Sequence, residues 1–296
     1  KAKSLKPVFP TLTFPNHFSI ATGTYPGTHG ILANEFYDPI RDESYSYKIK
    51  ETVQDGSWYK SEPIWVTAER QGVKSAVYFW PGSEAEINGV RPSIYKEYSS
   101  KDPFEARVDS VISWMQLPED KRPGLIMLYF HEPDRTGHIH GLNKDYLVPT
   151  LEQMDDILGY IMQQLEKVKN NTNVIIVSDH GMIELDRNQD ILLNQYIGDI
   201  GSKHLRGNGP LMQIDAIGDK ALKSKLSKKL KSIPNVHIYY GDDAICSINF
   251  LVSVLSLMFK MAVVVIAASF SITINSLFIN KWGSPINSNA LLVSES

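Results

Sequence analysis

Leu125-Ile126-Met127-Leu128-Tyr129-Phe130 runs straight into His131-Glu132-Pro133-Asp134-Arg135-Thr136-Gly137-His138. Six apolar or aromatic residues, ended by a polar turn, predict a buried strand over 125–130. The same grammar recurs downstream. Val174 to Ser178 is β-branched and apolar, and Asp179-His180-Gly181-Met182 follows it directly. Between the two, Leu151, Met154, Ile157, Leu158, Ile161, Leu165 and Val168 recur every three or four residues, which predicts an amphipathic helix. A strand, helix, strand order implies a parallel α/β sheet. A third apolar run, Ala76 to Trp80, predicts another strand of the same sheet.

In open α/β sheets, ligands sit beyond the carboxyl ends of the strands. Two adjacent strand ends would therefore bring Asp134, His138, Asp179 and His180 to one crevice. Carboxylate oxygen and imidazole nitrogen are common zinc ligands. Either pair alone is weak evidence for a metal; both pairs, at two strand ends, favour it. His131 and His140 flank the first cluster and read as supporting or surface groups.

A third constellation lies near the start: Phe9-Pro10-Thr11-Leu12-Thr13-Phe14-Pro15-Asn16-His17-Phe18. Thr13 stands where a helix begins, since Pro15 is tolerated only in a first turn. Gly23 ends that helix. Thr13 has two readings. It caps the helix, or it presents a hydroxyl where free N–H groups and the positive dipole end favour a phosphate.

Composition narrows the class. A 296-residue chain with 43% hydrophobic and 21% charged residues can bury a globular core. A net charge of −3 supplies no broad basic field, so binding of a nucleic acid polymer is not expected. The lone Cys246 excludes an internal disulfide. Asn170-Asn171-Thr172 is a glycosylation sequon, by signal or by chance. Lys1 to Lys6 is basic, but Pro7 interrupts where a signal peptide needs an apolar run. A Lys-rich amphipathic helix is expected over 219–233.

The composition changes after Ile245, dividing the chain into residues 1–245 and an apolar tail, 246–296. Phe250 to Phe270 is apolar or small except for Lys260. About 20 residues suffice to cross a bilayer. The stretch reads as a membrane segment over 250–270, as a buried element, or as a tail foreign to the fold.

Six motifs, in order, carry a family resemblance: Thr13-Phe14-Pro15-Asn16-His17; Tyr25-Pro26 with His29-Gly30-Ile31; Glu62 to Ala68; Phe79-Trp80-Pro81-Gly82-Ser83; Glu132-Pro133-Asp134 with Gly137-His138; and Asp179-His180-Gly181-Met182. From Lys6 to about Tyr240 the chain resembles the catalytic domain of the ectonucleotide pyrophosphatase/phosphodiesterases, in the alkaline phosphatase superfamily. The resemblance implies an alkaline-phosphatase-like α/β fold, a central, mainly parallel sheet flanked by helices. It implies hydrolysis of phosphodiester and pyrophosphate bonds of extracellular nucleotides, with two zinc ions. Thr13 would be the nucleophile that forms a covalent nucleotidyl intermediate. Asp134 and His138 would hold one zinc; Asp179 and His180, with Thr13, the other. Asn34 matches an asparagine that donates to a phosphate oxygen. Phe14 and Tyr98 match aromatics that sandwich the base, and Trp80 a tryptophan of the nucleotide pocket. Thr52 stands where relatives often carry Lys, and Glu84 where they carry Asp. An extracellular or cell-surface location follows by the same resemblance.

The resemblance also sets two expectations of loss. Relatives carry their earliest zinc ligand, an Asp, on a strand well ahead of the threonine, and their last, a His, far downstream. This chain has twelve residues before Thr13 and no histidine after His237. It reads as truncated at both ends, each zinc lacking one protein ligand. An inactive or splice-variant form, and a phosphodiesterase for a non-nucleotide diester, stay open as alternatives. A sulfatase reading is disfavoured, because its nucleophile position would need Cys or Ser where Thr13 stands.

Overall fold

The computed structural model describes residues 5–168, 171–185, 190–201, 205–208, 211–214, 219–234, 236, 238 and 262–268. Nine strands are named in chain order: β1 Glu35–Asp38, β2 Glu43–Ser46, β3 Ser75–Tyr78, β4 Ile94–Lys96, β5 Leu125–Phe130, β6 Thr172–Val177, β7 Leu205–Asn208, β8 Leu211–Ile214 and β9 Ala262–Ala268. The helices are α1 Thr13–Thr22, α2 Pro26–His29, α3 Lys50–Gln54, α4 Ile64–Arg70, α5 Phe104–Met115, α6 Asp134–His140, α7 Lys144–Lys167, α8 Leu193–Ile197 and α9 Lys220–Leu230.

The central sheet has the order β4-β3-β5-β9-β6, and every pairing in it is parallel. All six residues of β5 are buried. A parallel strand covered on both faces reads as an unbroken apolar run, which is why 125–130 shows no alternation. The predicted strand and the observed one coincide there. The 76–80 run is a strand only to Tyr78, because Phe79 turns into the left-handed region at φ 69°. The periodic segment extends further back than predicted, to Lys144, where the Asn143 side chain accepts from the Asp145 N–H and caps α7. Its buried Met154, Ile157 and Ile161 lie in the main core. The Lys-rich helix is present as α9, capped by Asp219.

The described part of the apolar tail does something specific. Residues 262–268 form β9, which lies between β5 and β6 and pairs with both. Leu125 is level with Val263 and Phe130 with Ala268; on the other edge, Thr172 is level with Ala262. A segment assigned from sequence to a divergent tail, with a membrane span over 250–270 as one reading, thus contributes a central strand to the sheet of the first 245 residues. Among the described residues no helix is long and apolar enough to cross a membrane. Residues 250–261, the sequon residue Asn170, and Cys246 lie outside the described residues.

A second layer packs over the β3 side. The β1–β2 hairpin places Phe36 and Tyr45 against Trp58, with Phe36 stacked on Tyr45 at 5.2 Å. Gly56 passes so close to Glu86 that an added Cβ would sit 2.0 Å from its carbonyl oxygen. That contact locks the hairpin layer onto the loop after β3.

Candidate functional site

The threonine hydroxyl is not a cap. Leu12 is the N-cap of α1 and makes no side-chain bond, and Thr13 is the first helical residue. Its Oγ1 faces His180 Nε2 at 3.3 Å instead. The capping reading fails, and the hydroxyl is committed to a group 167 residues away in sequence.

His180 follows β6 at the site's rear. Its Nδ1 donates to the Gly181 carbonyl at 2.9 Å, since a carbonyl only accepts. Its Nε2 faces Thr13 Oγ1 at 3.3 Å and lies 3.3 Å from Asp179 Oδ2. Asp179 is 1% exposed. Its Oδ2 also lies 3.3 Å from His17 Nδ1, which donates to the Thr13 carbonyl at 2.8 Å. Burial opposes the Asp179 charge, but His17 and His180 outweigh it and hold the carboxyl below the usual range. His17 therefore ties the base of α1 to the end of β6, between the ring edges of Trp80 at 5.0 Å and Tyr129 at 5.2 Å.

The other pair behaves differently. Asp134 opens α6 just beyond β5, and its Oδ1 lies 3.4 Å from His138 Nε2. The His138 side chain is 71% exposed, while Asp134 Oδ1 is buried and makes no hydrogen bond. Burial pushes the Asp134 carboxyl up; His138 and His180 pull it down, and Asp179 adds to the rise. A buried, unbonded carboxylate oxygen beside a second carboxylate is a site that wants a cation. The donor types suit zinc. Even so, among the described residues no group of three or more His, Cys, Asp or Glu side chains is arranged to hold a metal ion. The two pairs and Thr13 are present, but a full set for two ions is not assembled.

Asn34 stands at the entrance to β1. Its Oδ1 accepts from the Phe14 N–H at 2.9 Å, and its carbonyl accepts from Tyr47 N–H at 3.0 Å. The bond to Phe14 seats the Asn34 amide beside the Thr13 turn. Phe14 is half-buried and packs on Tyr45 at 6.2 Å and Tyr47 at 5.7 Å. Tyr98 is 52% exposed, its ring 5.3 Å from Phe79 and 6.4 Å from Tyr129. Glu84 accepts from the Tyr98 N–H at 2.8 Å and from Gln54 at 3.2 Å, so it holds the tyrosine loop in place. Thr52 spends its hydroxyl on the Ser46 and Ile49 carbonyls. Trp80 is 1% exposed and donates to the His17 carbonyl at 3.0 Å. It supports the site from within the core rather than offering a ring face to solvent.

Two further histidines fall where sequence placed them. His140 stacks on Tyr146 at 3.9 Å, outside the cluster. His131 lies behind Asp134, and burial together with the Arg107 and Arg135 charges lowers its pKa to about 4. His29 is structural. Its Nδ1 accepts from Ile31 N–H and its Nε2 donates to Ser19 Oγ at 2.9 Å, bracing α2 against α1. Sequence reasoning quoted His17 and His29 within motifs without giving either a role. The signal available was their placement one helical turn after Thr13 and just ahead of Gly30.

A parallel α/β sheet whose strand ends carry acid–histidine pairs beside a helix-borne threonine is the architecture of alkaline-phosphatase-like enzymes. The match to known proteins makes this specific. The model of the family described as type I phosphodiesterase / nucleotide pyrophosphatase matches residues 1–240, and the chain belongs to that family. It is 47% identical over 200 residues to human ectonucleotide pyrophosphatase/phosphodiesterase family member 1, covering 67% of this chain and 22% of that protein. It is 41% identical over 211 residues to venom phosphodiesterase 2 of Crotalus adamanteus, covering 71% and 26%. The chain thus spans about a quarter or less of these relatives. Human ectonucleotide pyrophosphatase/phosphodiesterase 5 superposes with TM-score 0.72 at 32% identity, covering 81% of this chain and 64% of that one. The murine counterpart gives 0.69 at 30% identity, covering 78% and 62%. An inactive threonine-to-alanine variant of the murine protein was solved in complex with AMP.

Proposed function

We propose that this chain hydrolyses phosphodiester or pyrophosphate bonds of extracellular nucleotides, with Thr13 as nucleophile. The observation that carries the reading is the Thr13 hydroxyl, which caps nothing and faces His180 Nε2 at 3.3 Å. Support comes from family membership and from the AMP complex of the murine neighbour, whose inactive form lacks a threonine hydroxyl.

The chain's own residues divide the work. The positive dipole end of α1 favours a phosphate beside Thr13, while the Phe14 N–H is taken by Asn34 and the Asn16 N–H by the Leu12 carbonyl. Asn34, its oxygen held by Phe14, aims its amide N–H₂ at a phosphoryl oxygen, where fixed donors stabilise developing charge. Phe14 and Tyr98 supply aromatic faces for a base, which bind with little regard to its identity. Trp80 and His17 position the Thr13 turn. Asp134 and His138, and Asp179 and His180 with Thr13, would hold zinc, which when bound lowers the hydroxyl's pKa and offsets phosphoryl charge. Thr13 attacks phosphorus, the leaving group departs, and water then releases the nucleotide from the enzyme.

The same reading places the protein outside the cell or at its surface, as the venom relative's name suggests for secretion.

The test is hydrolysis of the p-nitrophenyl ester of thymidine 5′-monophosphate by purified protein with added zinc, beside Thr13→Ala. Turnover by the parent and none by the variant is the expected result. A folded parent without turnover overturns the active-enzyme reading and favours the inactive alternative.

A further inference from the structure

Arg107, in the first turn of α5, is 0% exposed and forms no ion pair among the described residues. A buried charge without a carboxylate partner is costly, and an apolar side chain of similar size would ordinarily serve stability as well or better. The guanidinium is instead fully engaged with backbone and rings. Its Nε and Nη2 donate to the Asp102 carbonyl at 3.2 and 3.0 Å, and Nη1 donates to the Tyr129 carbonyl at 3.0 Å. Its Nη2 also lies 3.5 Å from His131 Nδ1. Around it stand the rings of Phe104 at 4.8 Å, Phe79 at 5.0 Å and Phe130 at 5.9 Å.

Two of these contacts lead to one place. Phe79 has a positive φ of 69°, a conformation that costs a bulky residue energy and must be held from outside. The cation beneath its ring is such a hold. Phe79 in turn meets the half-exposed Tyr98 edge-on at 5.3 Å, and Tyr129, whose carbonyl Arg107 binds, lies 6.4 Å from the same ring. Both neighbours that back the Tyr98 ring are therefore anchored on one guanidinium.

We infer that Arg107 is a positioning residue that fixes the Phe79–Tyr129 backing of Tyr98, and so sets the wall on which a nucleoside base stacks. This rests on the nucleotide reading above. It adds a buried residue that touches no substrate, yet governs preference for diesters that carry a base.

The experiment is titration calorimetry, with zinc present, of AMP and of inorganic phosphate against the parent protein, Arg107→Met, Arg107→Lys, Tyr98→Ala and the two double variants. Arg107→Met is expected to weaken AMP binding roughly tenfold and leave phosphate binding unchanged. In the Tyr98→Ala background the same change should have no further effect, the signature of coupled residues. Arg107→Lys, which keeps the charge and loses the fork, should fall between. An AMP preference that survives Arg107→Met overturns the role of Arg107 alone. So does a loss that AMP and phosphate share, or a loss that persists without Tyr98, or the failure of both Arg107 variants to fold. A parent that binds AMP no better than phosphate overturns the nucleotide reading, and this inference with it.

Discussion

The two acid–histidine pairs follow neighbours of the same strand, but the protein treats them in opposite ways. Asp179 and His180 are buried and bonded, tied to Thr13 and to the base of α1 through His17. Asp134 and His138 sit on a short helix with one end in solvent and one carboxylate oxygen unbonded. The first arm is organised by the fold itself. The second is organised only if something positive arrives. Preorganisation thus belongs to the nucleophile's side, and adaptability to the other.

Several measurements break or sharpen this contrast. The largest expected effect is on turnover. Thr13→Ala should reduce hydrolysis by at least about three orders of magnitude, with only a small fall in melting temperature, because Thr13 caps nothing and loses one part-buried contact to His180.

Stability in metal-free buffer comes next. Asp179→Asn should cost on the order of 3 kcal/mol by denaturant titration, because it leaves His17 and His180 without their carboxylate. Asp134→Asn should do the reverse and stabilise. The pH dependence gives the sign. The folded Asp179 pKa lies below the ordinary 3.8, so its contribution is complete above pH 3.8 and is lost as pH falls through the depressed value. The folded Asp134 pKa lies above 3.8, so its penalty is absent in acid and grows as pH rises from 3.8 through the raised value. Both variants should therefore converge on the parent in strong acid and diverge in opposite directions at neutral pH. Equal behaviour of the two would erase the distinction between the arms.

Zinc should then reverse the sign at Asp134. Added metal is expected to raise the parent's melting temperature and to raise that of Asp134→Asn by less; chelation should abolish any turnover. The smallest effect separates the histidines. In metal-free protein His138→Ala should change stability by no more than about 0.5 kcal/mol. His180→Ala, which removes part-buried bonds to Gly181 and Thr13, should cost about 1 kcal/mol.

Much of this was legible in the chain itself. The β5 run was readable because both its faces are covered, so six apolar residues stand together. The acid–histidine pairs were readable because each follows its strand directly. What was not readable depends on tertiary neighbours. A first-turn threonine reads as a cap until the group facing its hydroxyl is known. Trp80 lies in a pocket-forming motif, yet its indole is spent on the His17 carbonyl. Arg107 is one arginine on an amphipathic helix until Phe79 and Tyr98 are placed around it. The tail shows the limit of periodicity. A seven-residue strand inside a longer apolar run has no period of its own, so composition left a membrane segment, a buried element and a foreign tail all open, and it is the sheet, with its vacancy between β5 and β6, that takes up residues 262–268.

That vacancy has a consequence for synthesis. When β6 leaves the ribosome at Val177, its neighbour in the sheet, ending at Ala268, is still untranslated. At about 5–20 residues per second the wait is on the order of ten seconds. Throughout it β5 and β6 face each other across an open slot, with unpaired ladder edges and apolar side chains exposed. Closure must then join segments far apart in sequence, the slow kind of folding event. Nascent chains of this protein should accordingly depend on chaperones until residue 268 has emerged, and yields should rise when translation beyond β6 is fast.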